Sequence, residues 1–378
     1  MSWQPRRLDQ LGSVARGRSR HRPRDAAHLY GGEYPFIQTG DVKHAGLYIS
    51  DCTQTYSDAG LEQSKLWPAG TLCITIAANI ADTAILAIDA CFPDSVIVFV
   101  ADPHQADPRF VKYLFDATIK RRAQQFSQGA TQDNLSQEKL LSLEFDVPDI
   151  GQQTRIADIL SAYDNLIQNN RRRMALLEES ARLLYREWFV SLRFPGYEHS
   201  HIVDGVPDGW ERPALESILT LQRGFDLPTQ ERLEGNVPIY GSTGVLGYHS
   251  IDKVKAPGVV TGRSGTLGEV QYVTEDFWPL NTSLWVKEFK GIPPLFALFL
   301  LREMNLKQYN GGSSVPTLDR KTVHRVRVFR PTDPLLRAFN EFATDIFAQI
   351  DNLRNQNQKL RAARDLLLPR LMSGEINV

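Results

Sequence analysis

The chain has 378 residues, of which 42% are hydrophobic and 23% charged, and this balance excludes a disordered or fibrous protein. The length exceeds what one compact core usually holds, so we expect two domains with connecting elements. The formal net charge of −1 argues against a protein that coats nucleic acid through charge alone.

The sequence gives no sign of a membrane, an export signal or a disulfide framework. The first seven residues form no apolar segment, so we predict no secretory signal. The longest apolar runs, near 95–101 and 295–301, are too short to span a bilayer. Cys52, Cys73 and Cys91 form no C-x-x-C pair. We therefore expect a cytoplasmic protein without a metal site.

The first predicted globule, residues 1–148, contains a basic segment near its start. Five arginines alternate there with other residue types: Arg16, Arg18, Arg20, Arg22 and Arg24. In an extended segment this period-two spacing directs all five guanidinium groups to one side. Such a row can span several phosphates, and an arginine can contact guanine in the major groove. Thr39 and Lys43 are further candidates, and the alternative is a solvated loop without a ligand.

Short β-branched and aromatic runs between glycine and proline turns predict the strands of both globules. The predicted strands are 72–77, 95–100, 258–261 and 282–286. One helix is predicted near the end of each globule, at 107–124 and at 294–306.

A long amphipathic segment follows each globule. Apolar residues recur at steps of three and four from Ile156 to Trp188, which predicts a first long helix within 149–195. The same pattern within 335–378 predicts a second. Pro148 and Pro334 lie where these helices are expected to begin, and Pro195 and Pro369 near where they stop. At about 50–58 Å such helices are too long for their own globules to cover, so we expect a spacer.

The second globule, residues 196–334, repeats the first with drift. Arg16-Gly17 is echoed by Arg223-Gly224, and the Tyr34–Val42 segment by Val237–Val245. The match is strongest in the helices, where Asp164–Asn170 returns as Asp351–Asn357. Because the blocks recur in the same order, we interpret the chain as an internal duplication.

The second globule keeps only Arg223 of the arginine run, so its nucleic-acid face must be built elsewhere. Our candidates there are polar and basic residues in glycine-rich or polar loops: Arg223, Thr243, Arg263, Ser264, Asn281, Gln308, Tyr309, Ser313 and Ser314.

The two long helices show a near-heptad pattern that predicts a common seam. The predicted seam residues are Ile159, Tyr163, Leu166, Asn170, Leu177, Leu184, Ile346, Ile350, Leu353, Asn357, Leu360 and Leu367. Asn170 and Asn357 occupy the same seam position, and a polar seam residue fixes register and orientation. We predict that the helices pair with each other; the alternative is two amphipathic helices that each lie on their own domain.

Three stretches resemble one family, the specificity subunits of type I restriction–modification systems. Asp149–Asp164 is similar to the start of that family's central spacer helix, and Leu183–Val190 to its end. Leu360–Ile376 resembles the family's C-terminal helix. The resemblance covers the whole chain in layout, but its specificity lies in the helical regions.

The resemblance implies an α+β chain with two pseudo-repeated target-recognition domains, 1–148 and 196–334. The helices of 149–195 and 335–378 would form an antiparallel coiled-coil spacer. Each domain would read half of a split target in double-stranded DNA. The helices would dock two copies of a methyltransferase (modification) subunit, and a restriction subunit would join the complex. S-adenosylmethionine, ATP and magnesium are expected on those partners, and no cofactor on this chain.

A search for catalytic motifs favours recognition without catalysis. The sequence lacks a cofactor-binding glycine loop, a methyl-transfer motif and a phosphate-binding loop with its lysine. Three alternatives stay open. One is the specificity component of a related system whose partner fuses methyltransferase and nuclease. Another is a magnesium-dependent nuclease built on Asp276, Glu288 and Lys290, and the third is a coiled-coil adaptor without a DNA role.

Overall fold

The computed structural model describes residues 3–76, 81–120, 136–312 and 314–378. The strands are β1 (Gln4–Arg7), β2 (Gly12–Arg16), β3 (Tyr30–Phe36), β4 (Tyr48–Ile49), β5 (Gln54–Tyr56), β6 (Leu72–Thr75), β7 (Thr83–Leu86), β8 (Val96–Ala101), β9 (Glu144–Val147), β10 (Ile202–Val203), β11 (Val206–Pro207), β12 (Leu219–Arg223), β13 (Val237–Gly241), β14 (Gly244–His249), β15 (Gly258–Gly262), β16 (Val270–Val273), β17 (Trp278–Pro279) and β18 (Ser283–Phe289). The α-helices are α1 (Thr39–His44), α2 (Asp58–Glu62), α3 (Pro108–Phe115), α4 (Gln137–Leu141), α5 (Ile150–Tyr185), α6 (Pro294–Glu303), α7 (Arg320–Arg325) and α8 (Asp333–Met372).

The chain divides into two compact units. The first unit contains Met1–Arg172 together with Leu353–Val378, and the second contains Arg173–Asn352. Each unit therefore includes one globule and part of both long helices, α5 and α8.

The first unit is built on a five-stranded sheet in the order β2-β8-β6-β7-β4. Strands β6 and β7 consist of apolar residues and threonine, and they are buried along their whole length. Such strands need cover on both faces. Helix α3 supplies part of it, because Phe110 and Leu114 join the core of Leu72, Ile74 and Phe99.

The second unit repeats this framework. Its main sheet has the order β12-β18-β15-β16, which matches β2-β8-β6-β7 strand for strand. A smaller sheet, β14-β13-β17, corresponds to the β3-β5 pair of the first unit. In both units an X-Pro-X segment, Tyr34–Phe36 or Val237–Ile239, lies in the first strand of the smaller sheet. The duplication predicted from the sequence is thus present in the strand order.

Several predicted elements differ in extent. The helix predicted over 107–124 is α-helical over Pro108–Phe115 and continues as a π-helical turn to Lys120, while 121–124 lie outside the described residues. The helix predicted over 294–306 ends at Glu303, because Asn305 adopts a left-handed conformation with φ of 46°. Of the strand predicted over 72–77, residues 72–75 are extended and Ala77 lies outside the described part. Helix α8 ends at Met372, three residues after Pro369, so this proline does lie near the end of the helix as expected.

In the first unit the segments of α5 and α8 pair antiparallel. Asn170 Nδ2 donates a 3.0 Å hydrogen bond to Asn357 Oδ1, and both side chains are buried. Further along, Arg364 forms an ion pair with Asp164, and Gln152 donates to Asn377 at 3.2 Å. Because the partner's number rises as the residue number falls, the register is antiparallel. The two asparagines that the sequence placed at one seam position contact each other.

The seam prediction is wrong at Leu166, which is 51% exposed. Its neighbour Ile167 is buried instead. A straight α-helix has 3.6 residues per turn, so a strict seven-residue count drifts by about 20° per heptad. The other predicted seam residues are buried (Asn170, Ile346, Ile350, Leu353 and Asn357) or half-buried (Ile159, Tyr163, Leu177, Leu184, Leu360 and Leu367).

In the second unit α8 meets the end of α5 and the π-helical turn after it, Arg186–Val190, through aromatic rings. Phe189 lies edge-on to Phe339 of α8, with ring centroids 5.3 Å apart. Tyr185 packs against Phe296 and Phe299 of α6, at 5.5 and 5.7 Å. Helix α6 thus joins the sheet of this unit to its helix segments, as α3 does in the first unit.

We expect Asn357→Ala to lower the free energy of unfolding by about 1–3 kcal/mol, because it leaves the buried Asn170 amide without its partner. Asn355→Ala is the matched control: Asn355 is exposed on the same helix, and its loss should change stability by less than about 0.5 kcal/mol. The double variant Asn170→Leu with Asn357→Leu should recover much of the loss. Urea denaturation checks all three, and equal effects of the two alanine variants would contradict the pairing.

Candidate nucleic-acid interface

In the first unit three arginines of the basic segment converge on one acid, Asp94. Arg16 is the last residue of β2, and its Nε donates to the Asp94 carbonyl. Arg24 Nη2 lies 2.7 Å from the Asp94 carboxylate, and Arg22 Nη2 lies 3.8 Å from it. The side chains of Arg22 and Arg24 are 55% and 50% exposed, so these are surface ion pairs of small energy. They can exchange Asp94 for a phosphate or a base edge.

The prediction of a one-sided row of five guanidinium groups is wrong, because the segment is extended only as far as Arg16. Arg18 is half-buried, and its Nε is buried without a hydrogen-bond partner in the described part of the chain. Arg22 turns back and donates from Nη1 to the carbonyls of Ser19 and His21. Arg16, Arg20, Arg22 and Arg24 remain exposed.

The arginine that ends β2 is followed by a glycine at a tight corner, and the second unit repeats this arrangement. A Cβ on Gly17 would lie 2.2 Å from the Pro93 carbonyl oxygen, and one on Gly224 would lie 2.2 Å from that of Leu280. Since real Cβ atoms do not approach so closely, both positions require glycine. The Arg-Gly echo in the sequence therefore reflects a backbone constraint shared by the two units.

In the second unit the corner arginine belongs to a polar cluster. Arg223 Nη2 lies 3.2 Å from Asp226, which also accepts a hydrogen bond from the Asn281 amide. Arg263 Nη1 donates to the Asn281 carbonyl at 3.1 Å. The backbone of Ser264 pairs with Thr282 and Thr317, beside Arg263. The structure thus brings together four candidates from distant parts of the sequence: Arg223, Arg263, Ser264 and Asn281.

The sequence reasoning missed Asp94 and Asp226. The Val96 carbonyl accepts the Gly17 amide hydrogen, and the Ser283 carbonyl accepts the Gly224 amide hydrogen. Asp94 and Asn281 each lie two residues before that acceptor, so they occupy equivalent positions in the two units. The constant offset of 187 residues between the helical repeats also relates Asp94 to Asn281, so the duplication itself carried this signal. Asp226 has no such signal.

The remaining candidates of the second unit are spread over neighbouring loops. Thr243 is exposed at the turn between β13 and β14. The adjacent Ser242 lies near the 262–265 loop, since its Oγ is 3.9 Å from a Cβ placed on Gly265. Ser314 is exposed, and Ser313 lies outside the described residues.

Two further candidates already have partners within the fold. Gln308 donates to the Met304 carbonyl at 2.8 Å. Tyr309 is half-buried against the core.

Thr39 and Lys43 lie on the short helix α1 of the first unit. Thr39 is its first residue and half-buried, whereas Lys43 is exposed in its last turn. Lys43 thus offers a free cation on the described surface of this unit.

Strand β14 adds exposed apolar side chains that the sequence did not single out. Val245, Leu246 and Tyr248 are 46%, 50% and 56% exposed. They follow the Ser242-Thr243 turn directly. Apolar side chains in such a place can contact thymine methyl groups in the major groove.

Behind the second corner, His324 of α7 accepts a 3.0 Å hydrogen bond from the Leu221 amide through Nε2. Burial lowers the pKa of His324 below its ordinary value of 6.5, and the charge of Arg320 adds to this. The imidazole is therefore neutral near pH 7, as an acceptor nitrogen requires. It fixes β12 next to α7.

Two of the three residues of the alternative nuclease site have other partners. Asp276 forms a 2.8 Å ion pair with Lys255, whose hydrogen bond lowers the pKa of the Asp276 carboxyl. Lys290 donates to the Glu216 carbonyl at 2.7 Å. Within the described ranges there is no group of three or more His, Cys, Asp or Glu residues that could hold a metal ion. No helix in the same ranges is long and apolar enough to cross a membrane.

Comparison with known proteins gives consistent matches. Residues 1–179 match the family model described as type I restriction modification DNA specificity domain. The type I restriction enzyme MjaIX specificity subunit of Methanocaldococcus jannaschii is 25% identical, with 100% of this chain and 94% of the relative aligned. The EcoprrI specificity subunit of Escherichia coli is 22% identical over 80% of this chain and 77% of its own.

A solved structure shows the same fold. The type I restriction–modification S subunit from M. genitalium aligns over 98% of this chain and 96% of its own, with a TM-score of 0.59 at 18% identity. The duplicated frameworks and the family match define a sequence-specific DNA-recognition protein. Residues 1–179 match the type I restriction modification DNA specificity domain, and the chain is similar along its whole length to a specificity subunit of a type I restriction enzyme. The resemblance inferred from the helices is confirmed.

We expect Gly224→Ala, and likewise Gly17→Ala, to destabilise the chain by about 2 kcal/mol, because the new methyl group overlaps a backbone carbonyl that cannot move alone. Gly40→Ala is the control, since a Cβ at Gly40 meets no atom within 4 Å and the residue lies in α1. That change should be neutral or stabilising by up to about 1 kcal/mol. Thermal unfolding distinguishes them, and a Gly224 variant as stable as the Gly40 variant would disprove the corner constraint.

Proposed function

We propose that this chain reads a bipartite DNA target without a catalytic centre of its own, each unit recognising one half. The observation that carries the proposal is the repeated framework. β2-β8-β6-β7 and β12-β18-β15-β16 each end their first strand in an Arg-Gly corner. Two copies of one scaffold with different side chains suit a protein that reads two unlike sequences.

Recognition would use groups that are already exposed at the two corners. Arg24 and Arg223 are each paired with an acid at the surface and are about half-exposed. An arginine released from such a pair can make a bidentate contact to guanine, and its neighbours can contact phosphates. In the second unit, Val245 and Leu246 would add apolar contacts to thymine methyl groups.

The helices would bind the modification subunits. In the second unit α5 and the π-helical turn after it expose Leu176, Leu183 and Val190, which are 70%, 54% and 50% exposed. They are spaced seven residues apart, as in a helix face that packs against another helix. We propose that a helix of the modification subunit covers this row, with two such subunits in the complex and a restriction subunit added to it.

The cofactors would belong to those partners: S-adenosylmethionine to the modification subunits, and ATP with magnesium to the restriction subunit. The purified chain should neither methylate DNA nor cleave it in the presence of magnesium. Co-expressed with its modification subunits, it should direct methylation to one split motif, read out by methylome sequencing. Methyl transfer or cleavage by the chain alone would refute the proposal, as would methylation without a fixed motif.

We further propose that α5 and α8 set the gap between the two half-sites. Asn170 pairs with Asn357 and Asp164 with Arg364, so residues whose numbers add up to about 527 lie opposite each other. One heptad inserted after Leu177 and one after Ile350 should therefore keep the helices in register. The insertions add about 10 Å of rise, equivalent to about three base pairs at ~3.4 Å each. Methylome sequencing should show the same half-sites with a longer gap. The control is one heptad in α5 alone, which breaks the register; an unchanged gap with full activity would exclude the spacer role.

A further inference from the structure

A charged cleft of about 400 Å³ lies in the first unit, where α1 and the loop after it meet the segments of α5 and α8. Its lining contains five cationic side chains: Lys43, Lys112, Arg171, Arg361 and Arg364. It also contains three carboxylates: Asp82, Asp116 and Asp164. The cleft is therefore positive, although the whole chain is close to neutral.

Two of these cations are already neutralised. Lys112 lies 2.5 Å from Asp116, and Arg364 is paired with the buried Asp164. Lys43, Arg171 and Arg361 are different, since no ion pair or side-chain hydrogen bond holds them in the described part of the chain. Three unpaired cations thus line one cleft, and Asp82, which has its own contact, is the remaining carboxylate.

Two of these cations, Arg171 and Arg361, repel each other. Partial desolvation in the cleft lowers the pKa of Arg171, and the charge of Arg361 lowers it further. An anion between them would relieve that repulsion. Arginine and lysine are the side chains that bind phosphate, arginine through its bidentate fork and lysine as a point charge.

We propose that Lys43, Arg171 and Arg361 form a binding site for one phosphate group. The phosphate can come from the DNA backbone or from free inorganic phosphate. In the first case the site rests on the proposed function and places the two long helices, beside the recognition globule, in contact with DNA. Such a contact fixes the position of DNA and reads no base.

The test compares the double variant Arg171→Gln, Arg361→Gln with the control Arg172→Gln. Arg172 is exposed on the same helix but does not line this cleft, and the control removes a neighbouring positive charge. Each is measured in the complex with the modification subunits, by titrating duplex DNA that carries the methylated motif over a range of NaCl concentrations. In parallel, the melting temperature of each full-length chain is measured in sodium phosphate and in NaCl at equal ionic strength.

For a backbone phosphate, the double variant should bind DNA about tenfold more weakly at ~0.1 M salt. The slope of log affinity against log salt should fall by about one. The methylated motif should stay the same, and Arg172→Gln should change affinity less than about twofold. For free phosphate, DNA binding should be unchanged. Phosphate should then raise the melting temperature of the wild type more than that of the double variant.

The site is overturned if the double variant and the wild type behave alike in both measurements. It is also overturned if the double variant changes the methylated motif, or if Arg172→Gln weakens DNA binding as much as the double variant does. If the double variant does not fold, Lys43→Gln on the exposed end of α1 gives the same test. If the wild-type complex has no sequence-specific activity, the proposed function fails, but the phosphate measurement still decides the site.

Discussion

The geometry of the first unit depends on one buried carboxylate, Asp164. Its side chain is 7% exposed and accepts a 2.6 Å hydrogen bond from the Tyr113 hydroxyl of α3 and an ion pair from Arg364 of α8. A buried charge is costly unless such partners surround it. Burial raises the pKa of Tyr113, and the charge of Asp164 raises it further, so the phenol stays a donor. Asp164 itself lies on α5, so one side chain ties the globule to both helices of the unit.

The second unit also links its globule to the segments of both long helices, but it does so with different side chains. Aromatic rings of α6, of α8 and of the π-helical turn after α5 surround Tyr185, and burial raises the pKa of its hydroxyl. At the edge of this cluster Arg302 of α6 pairs with Glu178 of α5 at 2.6 Å. Packing area and a peripheral ion pair replace a buried charge network here. The two units thus hold their helix segments against the globule with different side chains, although the strand order is the same.

The sequence predicted the parts of the fold that repeat. The helical echo located Asn170 and Asn357, and the Arg-Gly echo located both corners, because each reflects a packing or backbone constraint. Prediction from the sequence failed where the outcome depends on the small angular drift of a helix or on contacts with residues distant in the sequence. A heptad count selected Leu166 although the drift of a 3.6-residue helix buries Ile167. A period-two count placed five arginines in a row although the chain leaves the strand after Arg16. Asp226 lies in an irregular segment without periodicity, so no sequence pattern indicated it.

The two corners show how one scaffold can carry different side chains. The glycine is dictated by carbonyl oxygens 2.2 Å from its absent Cβ, so that position leaves no room for variation. The residue that faces the corner arginine carries no such constraint: it is Asp94 in the first unit and Asn281 in the second. Asp94 pairs with Arg22 and Arg24 directly, whereas the Asn281 amide bonds to Asp226, which holds Arg223. The partners of the arginines thus differ between the two units, while the strand order stays the same. Because the acid and the arginine can change without disturbing the strands, the side chains at the corners can vary independently of the stability of the fold.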